Sequence, residues 1–226
     1  MRYYSLINSM SRGGSESFPT LINYYKLDSN FNDFKGAVNA TPNSITYATG
    51  KQNNCAVFNG SSSYASNVPV LTYSSFTISM WIKFSGGSEM FLFSNKGTAI
   101  IAMEVVSGKL FTRLRSNLST GITSLSSTSS VNTNTWRHVA FRFDISTNLQ
   151  QCFVDGLPET SITYTGGDFG SLPNKCIGAE AAFGGASPTY GFYNGSMDGI
   201  AIFNSALTNS EILNIYTIQN AGNDLI

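Results

Sequence analysis

The stretch FYNGSMDGIAIFNSALTNSEILNIY at residues 192–216 constrains the fold more than any other part of the chain. It reads as a turn, a strand, a second turn and one short helix. Gly195 permits a tight turn into the strand. Met197, Ile200, Ile202 and Phe203 give β-favouring apolar content around Asp198, the only charge there. Thr208 followed by Glu211 spells a capping box ahead of Ile212, Leu213, Ile215 and Tyr216, a stripe at helical spacing. The spacing predicts a helix over 210–218 and no other. A closing strand with one acid, capped by a single helix, belongs to an otherwise β-type chain.

Upstream, strands and turn signals alternate from Leu21 onward. The clearest strand is 76–84, with Phe76, Ile78, Met80, Ile82 and Phe84 on one face. Further strands are expected at 21–27, 54–58, 91–94, 100–106, 109–115, 136–144, 150–155, 161–164, 175–178 and 196–203. Ser107-Gly108 and Asp155-Gly156 mark hairpin turns, and Asn59-Gly60 carries the same signal. Residues 116–130, rich in Ser and Thr, read as strand plus loop. Strand spacings of about 8–12 residues predict an all-β, two-sheet antiparallel sandwich. Residues 1–20 stand apart: Tyr3, Tyr4, Leu6, Ile7 and Met10 precede a Gly/Ser-rich tether. They read as an arm that docks on another subunit, and residues 21–226 as one domain.

The chain has 226 residues, of which 12% are charged, with 13 basic and 13 acidic side chains. Ordinary globular domains carry ~25% charge; here Ser, Thr, Asn and Gly keep the surface wet. Zero net charge argues against a nucleic-acid partner, which needs a positive face to displace counterions. It argues equally against electrostatic attachment to an anionic membrane. No apolar run is long enough to span a bilayer, and the first ten residues lack the pattern of a secretory signal. Cys55, Cys152 and Cys176 each sit in a strand-like run and read as buried thiols, with one disulfide plus a free thiol as the alternative.

Six segments in order resemble the laminin G-like branch of the concanavalin A-like lectin/glucanase superfamily. They are YYKLD at 24–28 with Asn32, Asp33 and Gly36; AVFNG at 56–60 with Tyr64; FTISMWI at 76–82; NTWRHVA at 134–140; FVDG at 153–156; and NGSMDGIAIFN at 194–204 with Ala206, Leu207, Glu211 and Ile212. The resemblance covers about residues 22–217 and implies a jelly-roll sandwich. That superfamily holds lectins, glycosidases, adhesion modules and passive structural domains, so it leaves the activity open.

A glycosidase needs two carboxylates flanking the bond. The Glu-x-Asp-x-Glu cluster of the superfamily's glucanase branch, or a near variant of it, is missing here, and the acids are scattered along the chain, most of them at turns. The expectation is a non-enzymatic protein with no catalytic residue. His138, the only histidine, matches the recurrent Trp-x-His-Val strand of the resemblance and reads as structural.

For metal, Asp28, Asn30, Asn32, Asp33 and Asp198 offer the hard oxygens Ca²⁺ requires. Asp28, Asp33 and Asp198 match the positions where related modules hold a structural Ca²⁺; otherwise they shape the turn and brace the last strand. For ligand, a sugar site needs an aromatic platform beside hydrogen-bonding groups. Two loops have that mix: 164–170, with Tyr164, Asp168 and Phe169, and 183–193, with Phe183, Tyr190, Phe192 and Tyr193. The same rings would also serve plain packing or a subunit interface.

The expected function is a binding or decoration module contacting glycans or neighbouring subunits. A bacteriophage head or tail protein, made in a cytoplasm and assembled through the arm, fits the absence of a recognisable secretion signal. A carbohydrate-active enzyme or its accessory domain, and a purely structural capsid or surface-layer protein, are the competing classes.

Overall fold

The computed structural model describes residues 18–36, 38–69, 71, 74–95, 100–116, 121–168, 170, 172, 175–181 and 186–226. Most of the expected arm, residues 1–17, lies outside them, as do Phe169 and Phe183. The strands are β1 Leu21–Tyr25, β2 Thr41–Asn43, β3 Thr46–Thr49, β4 Asn54–Asn59, β5 Tyr64–Ser66, β6 Phe76–Phe84, β7 Glu89–Asn95 and β8 Ile100–Val106. They continue as β9 Lys109–Arg115, β10 Thr123–Ser130, β11 Arg137–Asp144, β12 Leu149–Val154, β13 Leu157–Thr163, β14 Lys175–Ile177 and β15 Asn194–Phe203, followed by the helix α1 Asn209–Asn220.

Two antiparallel sheets face each other. One runs β13-β12-β11-β6-β15-β4-β3, with β1 also on β15; the other runs β10-β9-β8-β7-β14-β5-β2. The sandwich is the predicted one, and strands β6, β8 and β9 have the predicted bounds. Three short strands, β2, β3 and β5, fall where none was expected. The Asn59-Gly60 turn is not a hairpin: β4 and β5 belong to different sheets. The Asn59 side chain folds the corner by accepting the N–H groups of Ser61, Ser62 and Ser63.

The interior is lined by alternate residues of each strand. On β6, Phe76, Ile78, Met80, Ile82 and Phe84 point into the main core. The opposite face of that strand is covered as well, because α1 lies across the outside of the eight-stranded sheet. Ile212 and Ile215 bury themselves there against Tyr24, Ala140, Phe153 and Phe203. The helix starts as predicted: Thr208 Oγ1 accepts Glu211 N at 3.2 Å, and Thr208 N donates to Glu211 Oε2 at 2.7 Å. Leu213, expected in the buried stripe, is 42% exposed, while Gln219 is fully buried.

Strand β15 explains why its hydrophobic pattern is irregular. A bulge lies between Asp198 and Ala201 where the strand pairs with β6, and Gly199 there has φ 54°. The extra residue resets the alternation. Met197, Ile200 and Ile202 all face the core, whereas Ala201 and Phe203 face the helix. Gly195 lies inside the strand rather than in a turn before it. A side-chain carbon on Gly195 would stand 2.3 Å from the Lys83 carbonyl oxygen, so the close approach of β6 requires glycine.

The three cysteines are free and buried, each in a strand. Among the described residues no helix is long and apolar enough to cross a membrane.

Candidate ligand-binding face

The two loops singled out for ligand binding lie at opposite ends of the sandwich. Tyr164 packs edge-on to Phe143, which pairs with Phe76 at the start of β6. Tyr193 packs against Phe58 and Phe84, at the end of β6. The structure therefore does not assemble the predicted aromatics into one site. Tyr164 is 2% exposed and Tyr193 0%; both rings fill the core and neither can stack on a ligand. Asp168 is exposed at the far end, where its carboxylate accepts the Gly170 N–H and shapes the loop.

Tyr190 and Phe192 remain, and they lie on one side of a short hairpin-like segment. Glu180 N donates to Tyr190 O at 3.1 Å, Tyr193 N to Gly178 O at 2.8 Å, and Phe91 N to Gly191 O at 2.9 Å. Alternation then turns Tyr193 inward and leaves Tyr190 and Phe192 outward, over the outer face of the seven-stranded sheet. Phe192 packs beside Tyr64 on Cys176, Ala179 and Ala181. The Tyr190 ring is 51% exposed and meets Phe91 edge-on at 6.4 Å. Its hydroxyl donates to Glu89 Oε2 at 2.6 Å.

Strand pairing brings further polar groups to this face. Arg113 Nη2 lies 2.6 Å from Glu89 Oε1 and 2.8 Å from Glu104 Oε2, and its guanidinium sits 5.1 Å from the Phe111 ring centre. Acids that looked scattered in sequence thus converge, because β7, β8 and β9 are adjacent. Glu89 and Glu104 are held on opposite sides of the usual carboxylate range. Burial, then repulsion from Glu89 and Glu180, pushes Glu104 up to about 8 despite Arg113. The Tyr190 hydroxyl and the Arg113 guanidinium hold Glu89 below its ordinary value against its own desolvation. Two carboxyls so divided have the form of an acid–base pair. The Glu104 side chain is 0% exposed, however, so the folded chain gives a substrate no access to it.

His138 is equally enclosed. Its ring lies against both Trp81 and Tyr216, at 5.5 and 5.9 Å, and neither nitrogen has a hydrogen-bond partner. Burial lowers its pKa to about 3. It is a neutral packing group under α1, not a base.

The proposed metal ligands separate into two groups. The Asp33 carboxylate accepts the N–H groups of Tyr24, Lys35 and Gly36, each at 3.0 Å, and the Asn23 amide at 2.5 Å. Its lone pairs are occupied in building the 28–36 turn, so it does not fit a cation set. Asn30 likewise accepts the Asn32 N–H at 2.8 Å. Asp198 is different. Its Oδ2 accepts Lys51 N at 2.8 Å and Gln52 N at 2.9 Å, while Oδ1 is buried without a hydrogen-bond partner. Burial raises Asp198 to about 7, and the negative charge of nearby Asp28 adds to the effect. A buried, unpaired oxygen with a second carboxylate near enough to raise its pKa suits a hard cation, with backbone carbonyls and water completing its shell. Among the described residues no group of three or more His, Cys, Asp or Glu is arranged around a metal.

Fold and covered face together define a lectin-like jelly-roll domain. The family model for the concanavalin A-like lectin/glucanases superfamily matches residues 58–213, and the chain belongs to that superfamily. No curated protein matches it in sequence. Among solved structures it resembles domain 4 of AbnA, a GH43 extracellular arabinanase from Geobacillus stearothermophilus, in complex with arabinotriose. That match has 22% identity and TM-score 0.65, over 87% of this chain and 98% of the other. The binding domain of Paraclostridial Mosquitocidal Protein 1 gives 14% identity and TM-score 0.67, over 87% of this chain and 52% of that one. This chain therefore spans about half its length. The CBM40 domain of a Ruminococcus gnavus IT-sialidase gives 16% identity and TM-score 0.55, over 64% of this chain and 84% of the other. At these identities the likeness is one of fold.

Proposed function

We propose that the chain is a non-enzymatic carbohydrate-binding module and that its glycan lies on the outer face of the seven-stranded sheet, against Tyr190 and Phe192. One observation carries this reading. The Tyr190 ring is half exposed, yet its hydroxyl is fixed at 2.6 Å to Glu89. An exposed aromatic held in place beside a carboxylate and a guanidinium can stack on a sugar's apolar face and bond its hydroxyls, with little ordering cost on binding. The solved relatives named for binding roles, one of them holding arabinotriose, support the same direction. The test is a glycan array on wild type and Tyr190→Ala. Loss of every wild-type signal in the variant, with an unchanged melting temperature, supports the site. Binding that survives the substitution places the glycan elsewhere.

Two further parts of the proposal concern structure and setting. Asp28 and Asp198 hold a structural Ca²⁺ that braces the 28–36 turn against β15. The 1–20 arm seats the domain on neighbouring subunits of a virion or cell-surface assembly, a reading that rests on its apolar and Gly/Ser-rich composition. Deleting residues 1–17 should abolish incorporation into the assembly while leaving the domain folded.

A further inference from the structure

We infer that this face selects uncharged saccharides and rejects those bearing a carboxylate, because Glu89 and Glu104 hold Arg113 away from any incoming anion. The inference rests on the glycan site proposed above and specifies its ligand class. Recognition of a sugar acid ordinarily uses a guanidinium whose fork is free to make two parallel hydrogen bonds. Here a single nitrogen of Arg113, Nη2, is engaged by both carboxyls, at 2.6 and 2.8 Å. Phe111 stacks under the guanidinium at 5.1 Å and fixes its plane.

The charges around the platform ring point the same way. Glu89 and Glu180 act on the Tyr190 hydroxyl, opposed by Arg113. Glu89, whose carboxylate accepts the Tyr190 hydroxyl at 2.6 Å, repels an incoming carboxylate and tolerates hydroxyls. Among the described residues, Lys109 and Arg115 lie on the same strand as Arg113. Lys109 lies in the row of Glu89 through Val106, yet it is Arg113 that meets Glu89, at 2.6 Å. Arg115 is four residues beyond Phe111, about 13 Å along the strand.

The experiment compares matched pairs that differ in charge: lactose with sialyllactose, xylo-oligosaccharides without and with glucuronic acid, and methyl-esterified with free oligogalacturonate. Titration calorimetry at pH 7 should show the neutral member of a recognised pair binding at least tenfold more tightly. In the double variant Glu89→Gln/Glu104→Gln, Arg113 loses both charged partners and the preference should shrink by tenfold or invert. Glutamine keeps the shape of both side chains. The wild-type comparison decides the matter by itself should the double variant not fold. Acidic members binding wild type as tightly as neutral ones overturns the inference while leaving a glycan site in place. An unchanged ratio in a folded double variant overturns the role of Arg113. Silence across every pair, neutral and acidic, overturns the glycan site and this inference with it.

Discussion

Trp81 donates its indole N–H to Gln219 Oε1 at 3.2 Å, a bond buried between the central strand β6 and the last turn of α1. Gln219 in turn donates to the Gly199 carbonyl at 3.3 Å, at the bulge of β15. One amide thus ties the helix to two neighbouring strands, beneath the stacked rings of Trp81 and Tyr216. Replacing Gln219 with Leu strands a buried donor and a buried acceptor. The expected cost is about 1–3 kcal/mol for each unpaired group, read as a lower urea midpoint at unchanged slope. Thr208→Ala, which removes only the exposed cap at the other end, should cost about 1 kcal/mol.

His138 sits against that same Trp81 and should make the domain acid-sensitive. Its pKa is lowered to about 3 when folded, against about 6.5 in the unfolded chain. Between those values the unfolded state binds more protons, so this residue's contribution to stability falls as pH drops from 6.5 towards 3. The slope is up to about 1.4 kcal/mol per pH unit. Comparing wild type with His138→Phe across pH 4–7 isolates it: the stability difference between the two should shift with pH in favour of the variant on the acid side. Parallel curves would show that His138 protonates without opening the packing.

Glu104 has the opposite sign. Its folded pKa is raised to about 8, so the folded state holds a proton that the unfolded state releases near 4.5. Its contribution is favourable at low pH and is lost as pH rises through 8. Glu104→Gln should therefore leave stability at pH 5 nearly unchanged and raise it at pH 9, by chemical denaturation. Equal effects at both pH values would mean that Arg113 keeps Glu104 ionised throughout.

The origin of these groups shows what the sequence could and could not carry. Long strands were legible from their apolar pattern: β6 and β9 needed only period two, β8 is a nearly unbroken apolar run, and Thr208–Glu211 placed the helix. Strands β2, β3 and β5 are three or four residues long, and no period can be read from so few positions. The acid cluster was invisible in a scan for carboxylates close in sequence, since its members come from different strands. A signal did exist. Glu104 interrupts the apolar run IIAMEVV, and the Ser107-Gly108 turn sets it opposite Phe111. That register puts it diagonal to Arg113, within side-chain reach. Tyr193 was misassigned for the converse reason. It neighbours the outward Phe192, and strand alternation sends it to the core.

The cation proposed at Asp28 and Asp198 yields the most decisive measurement. A ligand that binds only the folded chain raises its apparent stability with concentration. Millimolar CaCl₂ should therefore raise the melting temperature of wild type, and chelation should reverse the rise. Asp198 must ionise to bind, and its pKa without metal is about 7, so the effect of Ca²⁺ should fade as pH drops below 7. Asp198→Asn should lose the Ca²⁺ response, since the amide still accepts from Lys51 and Gln52 but carries no charge. Asp33→Asn separates the two roles assigned to the early turn. It should lower stability, because the carboxylate organises five N–H donors at 2.5–3.4 Å, yet keep the full Ca²⁺ response. If Asp33→Asn abolished that response, Asp33 would be a ligand and the 28–36 turn would have to rearrange to release its carboxylate. If Ca²⁺ left the wild-type melting temperature unmoved at pH 8, the unpaired oxygen of Asp198 would have to be satisfied by its own proton or by water.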